Sequence, residues 1–276
     1  MALHTLPDAE RTKRLTTDEL RRHFLVDDLF RDGAVTFRFV DLDRVVLAGA
    51  VPTDGPLDLG VPGELAADSF CERRELGILN IGGAGTVTVG DDTYDLDNRD
   101  LLYVGRGSGP ISFASAEAGS LARFYVVSYP AHGEHPTTRV RKTDAELEEL
   151  GSAEQANRRD LFKYVRPGGV ESAQLVMGIT EIQPGSVWNT MPAHTHARRT
   201  EVYLYFDVAA GEAVFHMMGE PQEVRTLVVR EGEAVLSPGW SIHAGAGTGR
   251  YTFCWAMGGE NQDFGDMQGV AMSDLR

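Results

Sequence analysis

Only two of the 276 residues are cysteine, Cys71 and Cys254. They lie far apart, each in an apolar stretch, which rules out a disulfide-dense scaffold and marks the pair as reduced and buried. Positive charge is also scarce. With 26 Lys and Arg against 41 Asp and Glu, the formal net charge is −15, which argues against nucleic acid or an anionic membrane surface as partner. No apolar run approaches the ~20 residues of a membrane-spanning helix. The start of the chain, Met1-Ala2-Leu3-His4-Thr5-Leu6-Pro7, lacks the apolar core of a secretory signal. The cytoplasm is therefore the expected compartment.

What is present describes a globular protein: 42% hydrophobic residues with 24% charged, in a chain long enough to bury a sizeable core. Thr16 with Glu19 three residues on forms a capping box. Leu20, Phe24 and Leu25 follow on one face, so a helix is expected over Thr17 to Leu25. From Ala34 the pattern turns to short strands closed by Gly, Pro or Asp: Val35 to Val40, Arg44 to Ala48, Leu76 to Ile81, Thr86 to Val89, Leu101 to Val104, Ile111 to Ala114 and Ala122 to Ser128. A polar stretch follows. In it Thr143 and Glu146 resemble a second capping box opening a short helix, and Gly151 to Arg159 reads as loop. Strands resume at Asp160 and recur to Met257. Near-regular short strands favour a sandwich or barrel over βαβ units.

The two strand-rich halves resemble each other. Arg73 to Leu79 parallels Arg198 to Leu204, Gly85 to Val89 parallels Gly211 to Phe215, and Arg99 to Gly105 parallels Gly232 to Pro238. The expected organisation is an N-terminal half over 1–130, a connector over 131–160 and a C-terminal half over 161–276.

Histidine is rare, with 8 in the chain, yet His194 and His196 stand one residue apart. On extended backbone, alternate side chains share a face. Glu201 opens the apolar-aromatic run Val202-Tyr203-Leu204-Tyr205-Phe206 and would bring a carboxylate to the same point. Imidazoles with a carboxylate suit zinc or iron(II) better than calcium or magnesium. A third imidazole is available at His243, after Ser237-Pro238-Gly239-Trp240-Ser241-Ile242. A His-X-His-X4-Glu segment followed by Gly-X5-Pro-X4-His resembles the two-part metal motif of the cupin fold. It departs from that motif at Val187 and Trp240, where glycine is usual, and at Gly247, where asparagine is usual; none of these positions is a ligand. The expected fold is therefore all-β: two cupin-type β-barrels in tandem with a few short helices. His194, His196, Glu201 and His243 would be the metal ligands. Where these stand, the first half has Asp68-Ser69-Phe70 and Pro110, so it is expected to hold no metal. His216 reads as packing beside the site, His132 and His135 as solvated loop residues, and His23 as the polar side of its helix. Tyr203 and Tyr205 share the parity of Glu201 and point into the same barrel.

Longer runs carry a more specific resemblance. Cys71 to Gly85, Trp188 to His196, Phe215 to Glu223, Ser241-Ile242-His243 and Gly259 to Phe264 are similar to the signatures of the 5-keto-4-deoxyuronate isomerase family, and the match runs nearly end to end. The resemblance implies a homohexamer with one zinc per subunit on those four ligands. It implies no nucleic-acid or membrane partner, and an aldose–ketose isomerisation of a small sugar acid in pectin breakdown. The conversion would run from 4-deoxy-L-threo-5-hexosulose uronate to 3-deoxy-D-glycero-2,5-hexodiulosonate, with zinc as Lewis acid on an enediolate. Tyr203, Glu181 and Lys163 are then the candidates to move the proton. Arg198 is the first candidate for the substrate's carboxylate, its neighbour Arg199 reading as a charged turn. An iron(II) or nickel cupin dioxygenase and a non-catalytic uronate-binding cupin remain as alternatives, because the ligand set alone does not choose the metal.

Overall fold

The computed structural model describes residues 3–260 and 264–276. Asn261, Gln262 and Asp263, part of the Gly259 to Phe264 signature, lie outside the described residues. The chain forms two compact units, and neither is one uninterrupted stretch. The first takes Met1–His4, Asp28–Ala145 and Tyr164–Val176; the second takes Thr5–Asp27, Glu146–Lys163 and Met177–Arg276.

The first unit has a six-stranded sheet in the order Thr138–Val140, Leu101–Val104, Arg74–Asn80, Phe124–Pro130, Val46–Ala50, Val35–Phe39. A four-stranded sheet runs Leu57–Asp58, Ile111–Ser115, Gly85–Val89, Asp92–Leu96. Arg74–Asn80 is buried along its whole length. Its inward residues join one apolar core with Phe70, Phe113, Phe124 and Val126. Arg74 and Arg106 are fastening residues here. Arg74 donates to the carbonyls of Arg44 and Ser128, and Arg106 to those of Glu72 and His132.

The second unit repeats the plan. Its larger sheet runs Leu25–Val26, Glu233–Ser237, Arg199–Phe206, Thr252–Gly259, Val176–Ile182, Arg159–Val165, Glu146–Leu150, and its smaller one runs Trp188–Asn189, Ala244–Gly247, Val214–Met218, Arg225–Val229. In both units the strand that follows the double arginine is central and antiparallel to its two neighbours. The registers coincide too: Leu76 lies opposite Val104 and Ser128, as Glu201 lies opposite Ser237 and Met257. The position that offers a carboxylate in the second unit holds a fully buried leucine in the first. Phe70, which the sequence alignment sets against His196, packs in the first unit's apolar core.

The helix spans Thr17–Phe24 with both capping-box bonds in place: Thr16 N–H to Glu19 Oε2 at 2.8 Å and Glu19 N–H to Thr16 Oγ1 at 3.4 Å. Its buried residues are Leu20 and Phe24, and Phe24 sets its edge against Trp240, with ring centroids 6.4 Å apart.

The segment after Thr143 corrects the sequence reading. A single 3-10 turn, Lys142–Asp144, leads into a strand, Glu146–Leu150, that pairs antiparallel with Arg159–Val165. The Thr-X-X-Glu spacing there makes no cap. Instead Glu146 and Glu148 turn to the face of the partner strand that carries Lys163, which they bind at 3.1 and 2.9 Å. Cross-strand charge pairing replaces the helical alternative. The stretch read as a bare connector thus contributes an edge strand to each sheet system, Thr138–Val140 to the first and Glu146–Leu150 to the second.

Candidate metal centre

Alternation along Arg199–Phe206 decides what faces inward. Arg199, Glu201, Tyr203 and Tyr205 share one side. Their opposed partners Met257, Trp255 and Phe253 on Thr252–Gly259 face the same way. His194 is held by the two-residue pairing of His194–Thr195 with Gln268–Gly269. The turn that follows is clamped by His196 N–H on the Gly239 carbonyl at 3.3 Å. The approach at Gly239 is so close that a Cβ there would stand 2.6 Å from the His196 carbonyl oxygen, so this position needs glycine. The Pro238 turn then closes, with Ser241 N–H on the Pro238 carbonyl at 2.9 Å, and delivers His243 beside Glu201.

One donor atom from each of His194, His196, Glu201 and His243 lies within 4.8 Å of all the others. Among the described residues this is the one such group of three or more. Glu201 Oε2 is 3.1 Å from His196 Nε2 and 3.0 Å from His243 Nε2, and His243 Nε2 is 2.9 Å from His194 Nε2. Donors on adjacent vertices around a cation bound at ~2.0–2.1 Å stand about 3.0–3.4 Å apart, so the residues present fit a metal ion. Their protonation fits as well. Burial, then the neighbouring His243, pushes His194 down to about 3, leaving it a neutral imidazole. Burial alone would raise Glu201, but His243 and His196 outweigh it and hold the carboxyl well below the usual carboxylate range. The outer nitrogens are also engaged. His196 Nδ1 stands 3.3 Å from the Asp266 carbonyl, which only accepts, so Nδ1 keeps a proton there and Nε2 is the nitrogen left to bind a metal ion. Arg199 donates to the same carbonyl at 2.9 Å, fixing the group that orients His196. His243 Nδ1 lies 3.3 Å from Ser237 Oγ.

Beside this group is a cavity of about 170 Å³. Its walls are mostly apolar, from Leu150, Leu161, Phe253, Trp255 and Phe264, with His194, His196, Glu201, Tyr203, Thr190 and Arg159 supplying the polar atoms. That is below the ~300–1,000 Å³ of sites for drug-sized ligands, and it suits a single small molecule rather than an oligomer.

Of the residues named from sequence as candidates to act on substrate, the structure brings Tyr203 to the cavity. Its hydroxyl is 3.0 Å from Thr190 Oγ1, and burial pushes its pKa well above the ordinary phenol value. Lys163 lies on the same sheet face but farther along, tied to Glu146 and Glu148 and set over the Phe264 ring at 4.6 Å. Glu181 is one residue out of step with Thr180, whose side chain lines the cavity and accepts from Trp255 Nε1 at 3.1 Å. Arg198 is exposed, 3.5 Å from Glu260; its neighbour Arg199 is the buried one. Arg159, read as loop, is the side chain that sequence reasoning missed. Its parity with Leu161 in a strand begun one residue earlier is the signal that could have found it.

His216 is fully buried behind the site, its Nδ1 2.7 Å from Tyr205 Oη. Burial, then His243, lowers it to about 3, so the folded protein keeps it neutral where the unfolded chain takes a proton below pH 6.5. The stability at stake is intact above pH 6.5 and is lost as pH falls towards 3, ~2 kcal/mol by pH 5. Urea denaturation at pH 7.5 and 5 is expected to show wild type losing about that much more than His216→Gln. Equal losses would refute a neutral buried His216.

This arrangement defines a class: a tandem cupin-type protein with a three-histidine, one-carboxylate group able to hold a metal ion in its second unit. Residues 58–269 match the KduI/IolB family, and the chain belongs to it. It is 50% identical over 276 residues, 100% of both chains, to 4-deoxy-L-threo-5-hexosulose-uronate ketol-isomerase of Lachnoclostridium phytofermentans. It is 54% identical over 271 residues, 97% of both, to the protein of that name from Kineococcus radiotolerans. Relatives this similar over the full length make the chain an enzyme of the ketol-isomerase class, an intramolecular oxidoreductase. The fold is shared more widely. An IolB-like protein from Salmonella typhimurium superposes with TM-score 0.69 at 14% identity, over 90% of this chain and 96% of that one. Oxalate decarboxylase of Lactobacillus farciminis does so with TM-score 0.58 at 14% identity, over 89% of each.

Proposed function

We propose that this enzyme interconverts 4-deoxy-L-threo-5-hexosulose uronate and 3-deoxy-D-glycero-2,5-hexodiulosonate, with one zinc per subunit on His194, His196, Glu201 and His243. The observation that carries the reading is the meeting of three imidazole nitrogens and one carboxylate beside a cavity sized for one small molecule, in a chain half identical to enzymes named for that substrate. In the reaction the proton on C2 moves to C1 and the hydroxyl proton on O2 moves to O1, with no net change in oxidation. Zinc bound there would supply Lewis acidity against the negative charge that develops on the two oxygens, worth several kcal/mol.

The chain's own residues do the rest. His194 stays neutral and Glu201 ionised, and the Asp266 carbonyl and Ser237 hydroxyl keep the other two imidazoles turned inward. Phe253, Trp255 and Phe264 keep water from the reacting carbons. Tyr203, protonated at neutral pH because it is buried, acts between the two oxygens: it gives its proton to O1 as the aldehyde is reduced and takes back the one leaving O2, with Thr190 holding the hydroxyl in place. The same reading carries a cytoplasmic homohexamer and a first unit that is a metal-free degenerate copy; light scattering tests the assembly.

The substrate is incubated with the protein, with and without chelator, and ketose formation is followed by NMR alongside metal analysis. Turnover that chelator stops and zinc restores is expected. Oxygen uptake with iron or nickel would favour a dioxygenase, and uronate binding without turnover would favour a sensor; either overturns the reading. Tyr203→Phe is expected to lower kcat on the order of 10²-fold while the zinc content stays at the wild-type level.

A further inference from the structure

We propose, resting on the isomerase reading above, that Arg159 receives the substrate's carboxylate and so fixes which way round the sugar acid lies in the cavity. Among the described residues it is the sole lysine or arginine lining that space. It opens the strand Arg159–Val165 directly opposite Leu150, which lines the cavity too. One N–H donates to the Asn157 carbonyl at 2.9 Å, which steadies the guanidinium from behind. No carboxylate among the described residues pairs with it, and Arg159 is half-buried beside Leu150 and Leu161. Glu148 acts on it only at a distance, being paired with Lys163, and a guanidinium withdrawn from water without a direct partner is costly. An entering carboxylate removes that cost and matches the planar fork with two parallel bonds.

The substrate has two chemically distinct ends. Its aldehyde and its carboxylate are at opposite ends of a six-carbon chain, five bonds of ~1.5 Å apart, so about 6 Å when extended. The cavity likewise has two polar ends. Glu201 with its three histidines is one pole and Arg159 is the other, and Tyr203 lies within electrostatic reach of both. With the acid end on Arg159, the aldehyde end is left for the four-residue group and the Tyr203 hydroxyl. The reverse orientation takes the aldehyde end away from the four-residue group and the Tyr203 hydroxyl and leaves Arg159 facing apolar wall. Arg159 therefore selects sugar acids over neutral sugars.

The test uses the zinc-loaded wild type, Arg159→Gln and Arg159→Lys. Kinetics with the uronate are read alongside calorimetric binding of an open-chain acid that does not react, galactonate, and its neutral counterpart galactitol. Arg159→Gln is expected to raise KM for the uronate by about 30-fold or more, with a smaller change in kcat, wild-type zinc content and lost preference for galactonate over galactitol. Arg159→Lys keeps the charge without the fork and is expected to fall between, and it carries the test if the glutamine variant does not fold. Wild-type KM and galactonate preference in both variants would overturn the assignment even if the enzyme is an isomerase. Arg159-dependent galactonate binding by a wild type that never turns over the uronate would support the site and sink the isomerase reading instead.

Discussion

Replacing His243 by alanine or Glu201 by glutamine is expected to remove bound metal and isomerisation together while the strands stay folded. Both side chains are almost wholly buried, and Glu201 Oε2 lies 3.0 Å from His243 Nε2 and 3.1 Å from His196 Nε2, so each takes one of four converging donors. Losing a group that merely orients a ligand costs metal sites about 10–100-fold in affinity; losing the ligand itself should cost on the order of 100-fold or more. The two variants fail for separable reasons. His243→Ala deletes a donor and opens space beside Tyr203, whose ring centre is 5.4 Å away, so some loss of stability accompanies the loss of metal. Glu201→Gln keeps the volume but cancels the one negative charge in the set, leaving a neutral amide between two imidazoles. It should therefore melt close to wild type when both are stripped of metal, and differ from it once zinc is added, since zinc stabilises only the form that binds it. Metal per chain, NMR turnover and thermal melts with and without zinc are the measurements. Undiminished turnover by a variant shown to carry no metal would sink the role given to this group.

The meeting of the four candidate ligands was legible because they come in short, fixed spacings. His194 and His196 are neighbours on extended backbone, Glu201 starts the next strand, and one proline turn returns His243. The likeness of the two strand plans was legible in the double arginines at Arg73 and Arg198, which mark the central strand of each larger sheet. What escaped depended on contacts between distant segments. The Thr143 stretch carries a helix-start spacing, yet Glu146 and Glu148 find Lys163 across a strand pair, and sequence shows no sign of that partner. Glu181 and Arg198 each miss the site by one residue of parity, beside Thr180 and Arg199, and strand phase shifts when a boundary is misplaced by one position. Arg159 was hidden the same way, because ending the loop one residue late placed it outside the sheet.

Glu75→Ala is expected to destabilise the first unit by on the order of 5 kcal/mol. The carboxylate is completely buried and accepts four hydrogen bonds. The Tyr103 hydroxyl at 2.6 Å and the Ala173 N–H at 2.7 Å meet Oε2; the Gln174 and Leu175 N–H groups, each at 2.8 Å, meet Oε1. Alanine leaves three backbone donors and a hydroxyl facing the space vacated. Each costs about 1–3 kcal/mol when unsatisfied, less whatever an entering water recovers. The sum approaches the whole stability of an ordinary domain, ~5–15 kcal/mol. Glutamine should be far milder, because the amide can turn. With its oxygen at the Oε1 position it still accepts from Gln174 and Leu175. Its nitrogen then stands where Oε2 was, and there the Tyr103 hydroxyl can rotate and accept, leaving only the Ala173 N–H opposed. That predicts a loss of about 1–3 kcal/mol. Adding Tyr103→Phe to Glu75→Gln removes the one acceptor the amide nitrogen has found, so the double variant should be less stable than the separate losses imply. Urea denaturation of the five proteins (wild type, Glu75→Ala, Glu75→Gln, Tyr103→Phe and the double variant) measures the series. A Glu75→Ala protein as stable as wild type, or Gln and Ala variants equally damaged, would show that these four bonds do not hold the turn at Ala173–Leu175.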